Sequence, residues 1–76
     1  MEHSEYGRDV AERVAKAIET SGLSLREVAD RTGIATSTLH RKRAGHPKSP
    51  FDVDELYAIA KTLDVPAATF YPDEVA

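Results

Sequence analysis

Apolar residues recur along this chain at the three- and four-residue spacing of helices, and no segment alternates with the period of a strand. Val10, Val14, Ala17 and Ile18 define one stripe, with Ala11 and Ala15 adding helix propensity, so the first helix is expected over roughly residues 5–20. Gly22 is placed to end it. Ser24-Leu25-Arg26-Glu27 then forms a capping box, in which the serine hydroxyl accepts from an orphan backbone N–H and the glutamate reaches back to the serine N–H. This starts a short second helix that stops at Gly33. A third helix is expected over about 36–44, stopping at Gly45, with Pro47 and Pro50 keeping the next loop non-helical. Asp52, with Glu55 three residues later, opens a fourth helix whose apolar face is Val53, Leu56, Ile59, Ala60 and Leu63. Pro66 suits the start of a short fifth helix over about 67–71 carrying Phe70 and Tyr71.

Five helices within 76 residues imply one all-α domain over 1–76, with frayed ends at about 1–4 and 73–76. A domain this small buries only about 60% of its chain's surface, so modest stability is expected. The chain has no cysteine, which removes disulfides and cysteine-based zinc sites. Its apolar runs are far shorter than the roughly 20 residues of a membrane span. The start, Met1-Glu2-His3-Ser4-Glu5, is acidic and polar, unlike a signal peptide, and a cytoplasmic protein is expected.

Charge is distributed unevenly. The net charge is −3, yet residues 34–50 hold Arg41, Lys42, Arg43 and Lys48 with no acid, together with His40 and His46. Residues 51–76 set Lys61 against Asp52, Asp54, Glu55, Asp64, Asp73 and Glu74. A single basic segment in an acidic chain fits either a localised phosphate-facing surface or a solvated loop. The neighbouring pattern favours the first. Residues 25–44 form two short helices joined by a tight glycine turn, with Ala29 small enough for close helix packing. At about 100° per residue, Thr36, Ser37, His40, Arg41 and Ala44 share one side of the third helix, and Thr38, Leu39 and Lys42 point the other way. Small residues let such a face approach the major groove, hydroxyls and imidazole can bond base edges, and Arg41 can pair bidentately with guanine.

The run Leu23-Ser24-Leu25-Arg26-Glu27-Val28-Ala29-Asp30-Arg31-Thr32-Gly33-Ile34, followed by Ser37-Thr38-Leu39, resembles the lambda-repressor/Cro-type (Xre-like) helix-turn-helix family. Asp52 through Val65 is similar to that family's fourth helix and following turn, and the resemblance covers roughly residues 10–71. Ser37-Thr38-Leu39-His40-Arg41 with Ser49-Pro50-Phe51 further resembles small repressors of actinobacteria and their phages. The resemblance implies a five-helix orthogonal bundle in which the second and third helices form the motif, binding operator DNA as a two-fold-symmetric dimer. Thr36, Ser37 and Arg41 stand where the family reads bases. Leu25 stands where many members carry a glutamine that contacts the DNA backbone, so that contact is absent. Ala35 replaces a common capping Ser or Thr, a cap lost unless Thr36 takes the role. Lys42 stands where the family places a large apolar residue. Its stem should lie on apolar surface while the ammonium reaches solvent or an acid. Lys42→Leu should then raise stability, by about 1–2 kcal/mol at most.

The function expected is a DNA-binding transcriptional regulator, a repressor reading an operator through helix 36–44. Thr36, Ser37, His40 and Arg41 would meet bases; Ser24, Arg26, Thr38, Arg43, His46 and Lys48 would meet phosphates. The alternative is a protein-interaction module, with the acidic 51–76 segment as its contact surface, or an antitoxin, using the same fold without direct operator reading. Phe70, Tyr71 and the Val65-Pro66 turn offer only a small apolar patch, so the free protein should be mostly monomeric and pair on DNA. No metal, cofactor or enzymatic activity is expected. His3, His40 and His46 are scattered, and Asp52 and Asp54 are acids opening a helix rather than a catalytic pair. Thr36-Ser37-Thr38 has no base beside it, and Gly33 and Gly45 are turn residues rather than a phosphate loop.

Overall fold

The computed structural model describes residues 3–46 and 48–72, with side chains described from Tyr6 onward. The ends at 1–2 and 73–76, Pro47 and the His3 side chain lie outside the described residues. Among the described residues four α-helices, α1 (His3–Ser21), α2 (Leu25–Thr32), α3 (Thr36–Arg43) and α4 (Val53–Leu63), precede one 3-10 turn, Ala67–Phe70. The all-α class is as expected, and α1 begins earlier than residue 5. The fifth element departs from expectation. Between Pro66 and Pro72 the chain makes a single short turn closed by the tighter three-residue bonds, Thr69 N–H to the Pro66 carbonyl (2.9 Å) and Tyr71 N–H to the Ala68 carbonyl (3.1 Å).

One core joins these elements. Val14, Val28, Leu39, Ile59 and Phe70 each have no solvent exposure, one residue from every element. Val10, Ile18, Ala29, Leu56 and Ala60 complete the buried cluster, with Ile34, Phe51, Leu63 and Val65 packed at its edge. α2 packs on α3 and α4, while α1 touches α3, α4 and the 3-10 turn. Two expectations are corrected here. Val53 is 70% exposed and contributes nothing to the apolar face of α4, because the helix starts beyond the core's edge, where Phe51 packs instead. Phe70 is wholly buried and therefore belongs to no surface patch.

Both capping boxes form. Ser24 Oγ accepts from Glu27 N–H (3.0 Å) and Glu27 Oε1 accepts from Ser24 N–H (2.8 Å). Asp52 Oδ1 accepts from Glu55 N–H (2.7 Å) and Glu55 Oε1 accepts from Asp52 N–H (2.8 Å). The turn between α2 and α3 is strapped twice. Gly33 takes the left-handed conformation (φ 80°) and donates its N–H to the Ala29 carbonyl at 2.9 Å. Thr32 Oγ1 donates to the Val28 carbonyl (2.8 Å) and accepts from Ile34 N–H (3.2 Å). Ser21 plays the same part at the end of α1, donating to Ile18 (2.6 Å) and accepting from Leu23 N–H (3.1 Å). Side-chain and backbone bonds together thus satisfy groups that a helix end would otherwise leave open.

Candidate nucleic-acid interface

α3 has only one buried residue, Leu39, so apolar packing alone holds it weakly. A second anchor is an ion pair. Lys42 Nζ donates to Glu55 Oε1 (2.7 Å) and Oε2 (2.8 Å), with only 14% and 17% of the two side chains exposed. The Lys42 ammonium thus reaches an acid, one of the two outcomes expected for it, and leucine at this position would leave Glu55 without that partner. Glu55 accepts three hydrogen bonds from two donors at once: one from the Asp52 N–H, its α4 cap partner, and two from the ammonium. One of the four cations counted in residues 34–50 is consequently neutralised internally, leaving Arg41, Arg43 and Lys48 as the segment's remaining positive charge.

With Leu39 and Lys42 facing inward, the opposite side of α3 is open. Thr36, Ser37, His40, Arg41 and Ala44 are all exposed, as the helical wheel predicts. Thr38 is half-buried beside the inward face, and Arg43 is half-buried at the helix end. His46 and Lys48 are exposed in the loop that follows, and Ser24 and Arg26 are exposed at the start of α2. The four expected base-reading residues thus share one exposed side of α3, while the expected phosphate contacts are spread over the start of α2, α3 itself and the loop after it. Ser24 is also a helix cap, and Glu27 places a carboxylate at the same helix start. The Ser24 backbone N–H is the main reason that carboxyl ionises below its ordinary value of 4.5. The Ser24 hydroxyl and the charge of Arg31 act in the same direction, against some desolvation.

At the start of α3, Ala35 is extended (φ −61°, ψ 142°) and no side chain caps the helix, so Thr36 does not substitute for the missing cap. No acid lies in its first turn, and His40, Arg41, Lys42 and Arg43 fill its last, where positive charge suits the helix dipole. The Arg41 Nε donates to Ser49 Oγ at 2.7 Å, tying the exposed face to the following loop. Neither Ser49 nor the ionic role of Glu55 was visible in the sequence. The first partner is eight residues away and the second thirteen, separations that no helical or turn pattern links.

Among the described residues no group of three or more His, Cys, Asp or Glu stands together as a metal site would require. No helix among the described residues is long and apolar enough to cross a membrane. The fold and the exposed face of α3 define the class: an all-helical protein whose second and third helices form a helix-turn-helix. A family model described as helix-turn-helix matches residues 14–70, from the middle of α1 through the 3-10 turn. The chain belongs to that family, the Cro/C1-type, Xre-like helix-turn-helix proteins, a family of DNA-binding regulators. No curated protein and no solved structure matches it.

Proposed function

We propose that this protein is a cytoplasmic, sequence-specific repressor that reads a two-fold-symmetric operator through α3. The observation that carries the reading is the exposed face of Thr36, Ser37, His40, Arg41 and Ala44 on a helix braced from behind by Leu39 and the Lys42–Glu55 pair. Small side chains admit the helix to the major groove, and Arg41 supplies the fork that fits guanine O6 and N7. Ser24 and Arg26 at the start of α2, Thr38 and Arg43 on α3, and His46 and Lys48 in the following loop suit phosphate contacts that fix register. The whole of 1–76 acts as one domain in this reading. Two copies occupy each site. Half-sites lie about 34 Å apart on one face of the duplex. The described residues extend 35 × 24 × 20 Å, so copies on adjacent half-sites are near enough to touch. The half-buried Val65 and Tyr71 and the exposed Pro66 give only a small apolar contact, which suits association completed on DNA.

Selection of bound sequences from a random duplex pool tests this. A palindromic consensus, with binding that weakens steeply as salt rises, is expected. Arg41→Ala should lose affinity for the consensus by about 1–3 kcal/mol and relax one base pair. Lys48→Ala should weaken all sequences alike and reduce the salt slope by about one unit. Enrichment of no sequence would defeat the repressor reading and leave the interaction-module or antitoxin reading in its place.

A further inference from the structure

We propose that Ser49 is a specificity-determining positioning residue, whose hydroxyl aims the Arg41 guanidinium at the base that Arg41 reads; the inference rests on the operator-reading function above. Arginine is long and rotamer-rich, and an exposed arginine ordinarily samples many orientations before it meets DNA. Here its Nε is engaged by Ser49 Oγ at 2.7 Å, a charge-assisted bond that sets both the reach and the plane of the guanidinium. Using Nε leaves the two terminal nitrogens, the prongs that pair end-on with guanine O6 and N7.

Ser49 can act as a fixed point because its loop is tethered on both sides. Its own N–H donates to the His46 carbonyl at 3.0 Å. Upstream, Gly45 turns the chain in the left-handed conformation and lies against Arg8 of α1. Downstream, Phe51 packs on the core and Asp52 caps α4. The loop after α3 thereby carries a bracing group for the helix before it, and orientation of the arginine is settled before DNA arrives.

The test compares wild type, Ser49→Ala, Ser49→Thr, Arg41→Ala and the double variant Arg41→Ala/Ser49→Ala. Each is titrated with the selected operator, with every single-base-pair variant of it and with scrambled duplex, and each is melted to check folding. Ser49→Ala should reduce discrimination about 3- to 10-fold, a fraction of the worth of a bidentate contact, at the same base pair that Arg41→Ala relaxes. It should change binding to scrambled duplex less than about 2-fold and add nothing in the Arg41→Ala background. Ser49→Thr, which keeps the hydroxyl, should restore discrimination. Discrimination left intact by Ser49→Ala, or affinity lost equally on operator and scrambled duplex, would overturn the brace while operator reading stands. An Arg41→Ala variant that relaxes no base pair would overturn it as well. A wild-type protein with no preferred sequence would overturn operator reading itself, and the brace with it.

Discussion

Replacing Lys42 by leucine should destabilise this protein, although the family resemblance implies a large apolar residue at this position. The ammonium makes two charge-assisted bonds to Glu55, at 2.7 and 2.8 Å, where both side chains are mostly shielded from water. Hydrogen bonds to charged groups contribute about 1.5–3 kcal/mol net of the exchange with water. Removing one partner of a shielded pair costs more than the pair contributes, because the other charge stays behind uncompensated. Glu55 would retain only the Asp52 N–H. Leucine offsets at most about 1 kcal/mol of this, since the position is already largely out of water. The net loss is then about 1–2 kcal/mol, or a drop in Tm on the order of 5–15 °C for a domain of this size. Glu55→Gln keeps an acceptor for the Asp52 N–H and so isolates the charge. A cycle of Lys42→Leu, Glu55→Gln and both together, read by urea denaturation, should give a coupling of about 1–3 kcal/mol. Much of it should survive in molar salt, because shielded pairs are screened less than exposed ones. A coupling below about 0.5 kcal/mol, or a higher Tm for Lys42→Leu, would refute the assignment of this pair as the second anchor of α3.

Three further outcomes follow from local geometry. Ala35→Ser should raise stability by about 0.5–1 kcal/mol in thermal melting, by capping an α3 that no side chain caps now. Gly45→Ala should cost about 1–2 kcal/mol, because φ is +79° and the new Cβ would sit 3.3 Å from Arg8 Cγ, and urea denaturation reads the loss directly. Glu27 has its folded pKa depressed, so its contribution is present above the ordinary value of 4.5 and disappears as pH falls through the lower folded value. In Tm measured against pH, Glu27→Gln should flatten that acid limb, and an unchanged limb would show that the Ser24 bond does not persist in solution.

Local rules made much of this protein legible. Ser24 and Glu27, and Asp52 and Glu55, announced two helix starts through a pattern four residues long, and both boxes formed. Gly22 and Gly33 announced helix ends, because few other residues adopt a left-handed backbone without strain. Asp64, which ends α4 at φ 60°, gave no comparable signal, since aspartate adopts that conformation only where the turn imposes it. Periodicity sorted α3 correctly into an outward Thr36, Ser37, His40 and Arg41 and an inward Leu39 and Lys42. It failed at Val53, because an apolar stripe shows which side of a helix faces the core but not how far along the helix the core extends. It also could not distinguish an α-helix from a 3-10 turn in the few residues between Pro66 and Pro72.

The sequence by itself therefore determined the helices, their caps, the helix-turn-helix and the outward face of its second helix, all properties governed by neighbours within about four residues. Tertiary structure decided what those side chains do. Only the fold brings Glu55 to Lys42 across thirteen residues, turning an apparent flaw into an anchor. Only the fold sets Ser49 against Arg41. A charge or hydroxyl carries no mark of its distant partner along the chain, and its meaning is fixed when packing of the core closes the loop between them.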